Sequence, residues 1–469
     1  MAFLIGGANT ESAAYQIDNS GLFNDGQSQA LTRTHGASGS TRTFTFSCWV
    51  KFSDPKTGSS ASDCCHGIFA SEEEAGHQFF ISTDEGQIFR IADYQDGSYN
   101  LHLQTNRKFR DHSAWYHFCI IFDTTDGTQG DRCKLFVNGV RETSFSTEVY
   151  PSQNTDLYGN DNQAHFIGRR GGSNTMYFDG YIADVNFIDG TAAAATEFGE
   201  TNDNGVWIPK KYGGRYGNNV FFLEFFNTGT GQGANKFASD TSGNGNHYDT
   251  NNFSGQYQMT DTPTNNFCTL NPLHKSTTDV VLSKGNTEVV SGYSSGWQHC
   301  AATMAVRNRK WYWEAKALAV AATDKTSIGV FQFDTTDVDF IGVTNTDRSS
   351  KGISGHGAGT GSYSYADDDI IMCGMDLDNN KVYWGKNGTW FGSLDPAAGS
   401  GSTTQTIDNS NFCVPAVGGY GGSIWQLNFG NPTFSISSGN TDANGYGNFE
   451  YSVPSGFYAL CTKNLAEYG

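Results

Sequence analysis

Proline is scarce, 9 residues in 469, too few for a low-complexity Pro-rich linker. No run of eighteen apolar residues occurs, so the sequence predicts no membrane insertion. Basic residues are few: 29 Lys and Arg stand against 48 Asp and Glu, for a net charge of −19 and a pI near 4.8. Such a surface repels a phosphate backbone and argues against nucleic acid as a partner. The ten cysteines include no C-x-x-C pair, which removes the usual zinc and dithiol frameworks. The opening MAFLIGGANTESAAYQIDNSG lacks a basic n-region, and its apolar patch spans only Phe3, Leu4 and Ile5. It does not read as a secretion signal. H-E-x-x-H and G-x-x-x-x-G-K are also missing.

Glycine, by contrast, is abundant, 57 residues where ~7% is usual. Aromatics make up 14% of the chain. Short aromatic and β-branched runs alternate with Gly, Asn, Ser and Thr clusters, the pattern of many strands and turns. In RTFTFSCWVKF, Phe44, Phe46, Cys48, Val50 and Phe52 share one face, with Thr43, Thr45, Ser47 and Lys51 on the other. Period two predicts a half-buried strand. WYHFCIIF is apolar on both faces and predicts a central strand. In DLDNNKVYWGKNGTWFG, Asn387-Gly388 separates two aromatic runs and predicts a type I′ hairpin. Cys48, Cys119 and Cys373 sit in apolar runs and read as reduced core thiols. Cys64-Cys65 in a Ser/Asp loop has no functional account. GTAAAATEFGE reads as a short helix capped by Thr191 and ended by Gly199.

Together these features predict an all-β chain of two antiparallel β-sandwich (jelly-roll) domains joined by a structured Gly/Asn-rich connector. The expected divisions are an arm at 1–17, a sandwich at 18–200, the connector at 201–276 and a second sandwich at 277–469. At this length two or three domains are the prior.

GLFNDGQSQAL, FTFSCWVKF, AWYHFCIIFD, CKLFVNGV, AHFIGRR and YFDGYIADVNFIDG stand in the order of a laminin-G-like, concanavalin A-type lectin domain, which residues 18–190 resemble. RKWYWEAKA, SIGVFQF, the Asp376–Gly392 stretch, VPAV, LNFG and VPSGF stand in the order of a SPRY domain, which residues 282–464 resemble. The pairing is similar to virion fibre, appendage or capsid-surface proteins of marine tailed phages. That resemblance implies a virion surface location after synthesis in the host cytoplasm, other virion proteins as partners, homo-oligomerisation and a binding role.

Enzymatic cleavage of glycans needs two positioned carboxylates, and no alternating E-x-D-x-E strand of the sandwich glucanases occurs. Glu72-Glu73-Glu74 reads as a solvated loop, and Asp367-Asp368-Asp369 as a turn. No enzyme and no cofactor are expected. Calcium is the one ion the lectin-like resemblance implies, with Asp123/Asp126/Asp131, Asp156/Asn160/Asp161 and Asp240/Asn244/Asn246 as oxygen-rich loops; turn formation is the stronger reading of each. Sugar binding uses aromatic faces beside polar groups, and the candidates are Tyr94, Tyr99, Tyr158, Trp390 and Tyr420. Phe3, Leu4 and Ile5 form an apolar hook suited to docking by strand addition. A purely structural joint or decoration protein is the alternative to a host-glycan receptor.

Overall fold

The computed structural model describes residues 4–5, 15–56, 58, 65–74, 76–171, 176–292, 298–320, 326–332, 350–354, 365–401, 405–407, 410–419 and 421–469. Two compact units divide the chain: residues 11–264, and residues 265–469 with 1–10.

Two antiparallel sheets form the first unit. One runs Val140–Arg141, Cys133–Val137, Tyr116–Asp123, Thr43–Phe52, Gly180–Asp189, Ser20–Phe23, Gln258–Met259, with Phe221–Leu223 also paired to Gly180–Asp189. The other runs Phe145–Val149, Ser98–Lys108, Ile88–Gln95, His77–Asp84, Gly67–Glu74, Ala164–Ile167, Ala30–Thr34, Asp249–Asn251. Between them lies an aromatic core. Phe44 stacks on Phe122 with centroids 4.4 Å apart, and Phe46 on Phe69 at 4.8 Å. WYHFCIIF is central, as its two apolar faces require.

Residues 43–52 are buried on both faces, not half-buried. Thr45, Ser47 and Lys51 are at most 1% exposed. The end of the predicted sandwich and the predicted connector supply the cover: Ala193 and Phe198 from the first and Tyr212 from the second pack on Cys119, Ile121 and Ile188. Met259 joins Ile17, Trp49, Trp115 and Tyr181. Residues 201–264 thus complete the first unit. GTAAAATEFGE forms no helix beyond a single 3-10 turn at Ala195–Glu197, and Gly199 begins a strand. A run this short cannot repay helix nucleation, and Phe198 gains more by burial. Glu72–Glu74 end the strand Gly67–Glu74 and are not a loop, with Glu72 nearly buried.

In the second unit, one sheet runs Leu270–Lys275, Gln298–Ala302, Cys413–Gly419, Thr326–Gln332, Ser350–Ser354. The other runs Val280–Ser283, Glu288–Ser291, Ser423–Asn428, Lys310–Ala319, Ile370–Asp376, Lys381–Lys386, Thr389–Trp390. Trp311, Trp313, Trp384 and Trp425 anchor the core. Glu314 is buried on the opposite face; its carboxylate accepts from Tyr312 OH at 2.9 Å and from the Glu450 and Tyr451 amides at 2.9 and 2.8 Å. Burial still pushes its carboxyl up. Asn387 and Gly388 have φ of 48° and 84°, both positive as the type I′ turn requires. Asp367-Asp368 form the expected turn before Ile370–Asp376. Leu4–Ile5 pair in parallel with Met304–Ala305.

Cys48, Cys119, Cys133, Cys268, Cys300, Cys373, Cys413 and Cys461 are free and buried. Cys65 is disulfide-bonded, and Cys64 lies outside the described residues.

Candidate functional site

Strands His77–Asp84, Ile88–Gln95 and Ser98–Lys108 lie side by side in the second sheet of the first unit. Their alternation sends Phe79, Ile81, Phe89, Ile91, Leu101 and Leu103 into the core. The intervening residues form a separate outer-face cluster, in which Phe80 and Ala92 meet Ala70 and Phe166 from the neighbouring strands.

Phe80 is fully buried on that face because cations cover it. The Arg170 guanidinium lies 3.8 Å from its ring centroid and that of Arg90 5.0 Å. Arg169 covers Phe166 in the same way at 3.9 Å. A weakly hydrated planar cation suits such an aromatic face. Arg90 is fixed at both ends: Nη1 donates to Asp84 Oδ2 at 2.9 Å and Nη2 to Tyr99 OH at 2.8 Å. Gln104 Nε2 also donates to Asp84 Oδ2, at 2.9 Å. Arg170 Nη2 donates to Gln78 Oε1 at 3.1 Å, and Gln78 Nε2 to Glu72 Oε1 at 3.0 Å.

Tyr94 and Tyr99 face each other across the Asp96-Gly97 turn, ring centroids 5.0 Å apart and edge to face. The His102 ring stacks on Tyr99 at 4.4 Å. Tyr99 remains 37% exposed. Burial, reinforced by Arg90, holds the His102 imidazolium below the ordinary histidine range, so the ring is neutral near pH 7 and offers both a donor and an acceptor. Burial raises the Glu72 carboxyl. The result is a fixed, partly apolar surface edged by guanidinium, amide, imidazole and phenol groups, able to stack a flat ligand and bond its polar rim.

The other sequence candidates lie elsewhere. Tyr158 stacks on His77 at 5.0 Å, while its backbone N–H donates to Asp93 at 2.8 Å. Asp93 also accepts from Gln95 and Asn100. Its burial outweighs these bonds and raises its carboxyl to about 6. Trp390 belongs to the second unit and is half-buried, 6.5 Å from the Tyr312 ring. Tyr420 and Phe3 lie outside the described residues, and of Leu4 and Ile5 the backbone pairing alone is described.

The oxygen-rich loops are engaged in turns. Asp123 accepts from Thr125, Asp126 from the Thr128 amide, and Asp131 pairs with Arg141 at 2.7 Å. Asp156 pairs with Arg42 at 2.8 Å, Asn160 donates to Asp189 and Asp161 accepts from the Asn162 amide. Asp240 accepts from the Phe222, Ser242 and Asn246 amides, while Asn246 donates to the Asn218 and Val220 carbonyls. Among the described residues no cluster of three or more His, Cys, Asp or Glu side chains is placed to hold a metal ion.

A concavity of about 230 Å³ away from that face is lined by Tyr15, Asp18, Asp184, Glu224 and Phe226, among others. Tyr15 OH donates to Asp184 Oδ1 at 2.7 Å, and burial raises that carboxyl to about 7.

Sequence reasoning missed Phe80, Arg90, His102, Arg169 and Arg170. A signal for Arg90 and His102 existed, since both alternate in the sequence with apolar residues, Phe89 and Ile91 around one and Leu101 and Leu103 around the other. Nothing local placed Arg170 against Phe80.

Residues 24–197 match a family model described as the concanavalin A-like lectin/glucanases superfamily. No curated protein matches the sequence. Among solved structures, the chain is similar to the SPRY domain of human HERC1, with 16% identity, TM-score 0.25, and 34% of this chain and 96% of that one covered. It is also similar to the native heptameric SAP-like pentraxin from Limulus polyphemus, with 15% identity, TM-score 0.29, and coverage of 39% and 80%. For a human SPRY domain the values are 18%, 0.23, and 32% and 93%.

Proposed function

We propose that this chain is a non-enzymatic virion surface protein of a tailed phage, a fibre, appendage or capsid-decoration component, that binds host-surface glycans on the outer face of strands 77–108. The observation that carries this reading is the exposed Tyr99 ring, held by Tyr94, His102 and Arg90 beside Gln104. Rigid aromatic faces beside fixed polar groups are what a sugar ring requires: stacking for its C–H face and hydrogen bonds for its hydroxyls. The lectin/glucanase family match over residues 24–197 supports a carbohydrate as ligand. The order of a lectin-like and a SPRY-like domain supports the virion placement, by its resemblance to phage surface proteins. A glycan array with the purified full chain tests the reading, and the absence of any bound saccharide would refute it.

Assembly is a second role, favoured by the terminal arm. Leu4–Ile5 already pair in parallel with Met304–Ala305, so this short edge accepts an extended backbone. The arm of another copy, or a neighbouring virion protein, would use the same bonds. Burying three apolar side chains contributes roughly 1.5–3 kcal/mol each before ordering costs. Deletion of residues 1–14, which spares the Tyr15–Asp184 bond, is expected to leave both units folded by circular dichroism while abolishing oligomers in light scattering. Unchanged assembly would remove the arm from this role.

A further inference from the structure

We propose that the saccharide taken by the outer face of strands 77–108 is acidic, carrying carboxylate or sulfate groups; this rests on the reading above that the face binds saccharide. The chain as a whole carries −19, yet three guanidiniums, Arg90, Arg169 and Arg170, gather on this one face. Elsewhere in the first unit several cations meet carboxylates directly: Arg42 meets Asp156, Lys51 meets Asp261 and Lys56 meets Asp25. Arg170 does not. Among the described residues its hydrogen bonds run to the Gln78 amide oxygen at 3.1 Å and, at 3.5 Å, to Met176 Sδ, and no carboxylate forms an ion pair with it.

Two physical consequences follow. A half-buried guanidinium with no carboxylate in direct ion pair is costly, Glu72 and Asp84 offsetting that only from a distance, and a ligand anion offsets it further. Arg90 adds to the cost, since both guanidiniums lie over the single ring of Phe80; burial first and Arg90 second hold the Arg170 pKa below the ordinary arginine value, against the weaker opposing pull of Tyr99, Asp84 and Glu72. An anion bound at the edge of Arg170 offsets both the desolvation cost and the repulsion from Arg90. The recognition geometry suits that role. A guanidinium stacked flat on a ring is already ordered and presents paired N–H groups, which match the two oxygens of a carboxylate or sulfate. Tyr99 then stacks the sugar ring that carries the acid.

Calorimetric titration of the full chain decides the matter, with oligogalacturonate against its methyl ester and dextran sulfate against dextran as probes. At least one acidic probe is expected to bind about tenfold or more tighter than its neutral partner, and Arg170→Gln to weaken it by about tenfold. Arg170→Lys, which keeps the charge but not the fork, is expected to fall between the two and guards against a folding defect in the glutamine variant. If neutral and acidic probes bind equally and Tyr99→Ala weakens both, the face binds saccharide and the acidic inference is overturned. If neither these probes nor any array glycan binds, the binding reading fails and takes this inference with it. Acidic binding untouched by both Arg170→Gln and Arg90→Gln also overturns the inference.

Discussion

Replacing Lys51 with methionine is expected to lower the stability of the first unit by roughly 3–5 kcal/mol, because it strands a buried carboxylate. Lys51 Nζ lies 2.7 Å from Asp261 Oδ2, and the two side chains are 1% and 0% exposed. The same carboxylate accepts from Trp115 Nε1 at 3.0 Å, and Ser20 Oγ donates to the Asp261 carbonyl at 2.6 Å. Methionine keeps the length and apolar body of the lysine stem, so little packing is lost and the missing charge dominates. Hydrogen exchange of residues 43–52 under mild denaturant measures the loss within the first unit. Lys51→Met combined with Asp261→Leu is expected to recover most of it, since removing both charges removes the desolvation cost as well. A single variant within about 1 kcal/mol of the native protein would contradict the burial of this pair.

Trp313→Ala is expected to cost the second unit roughly 3–5 kcal/mol through loss of buried area and the cavity left behind. Trp313 is fully buried, 6.4 Å from Trp384 in an edge-to-face arrangement and 6.5 Å from Phe429. Among the described residues its indole Nε1 has no hydrogen-bond partner. Trp313→Phe therefore forfeits packing alone and should cost well under the alanine variant. Thermal unfolding of full-length protein checks both, with an earlier transition for the unit containing residues 265–469. An unchanged alanine variant would refute the register Trp313↔Cys373 between Lys310–Ala319 and Ile370–Asp376.

Where side-chain alternation and turn chemistry act within one hairpin, the fold was legible. The Asn387-Gly388 turn and the central WYHFCIIF strand needed no partner beyond neighbouring residues. Burial supplied from far along the chain was not legible. Thr43–Phe52 shows a polar face that reads as solvated, but Lys51 meets Asp261 from 210 positions away. The alanines of GTAAAATEFGE favour helix by propensity, yet Phe198 stacks on Tyr212 at 5.0 Å and the chain turns into a strand. The candidate face was half legible: Tyr94 and Tyr99 flank a turn and meet. Arg170 reaches Phe80 through a pairing of Ala164–Ile167 with Gly67–Glu74 that no local pattern encodes.

The central claim, that the outer face of strands 77–108 binds saccharide, is tested most directly by Tyr99→Ala. Tyr99 is exposed on the sheet and lies outside the core clusters, so truncating it leaves the fold in place. The measurement is calorimetric affinity for the tightest-binding array glycan, alongside the melting temperature of the same sample. The account predicts about tenfold weaker binding or more, with melting unchanged, as expected for loss of an aromatic contact worth about 1.4 kcal/mol or more. Undiminished affinity in the variant would contradict it.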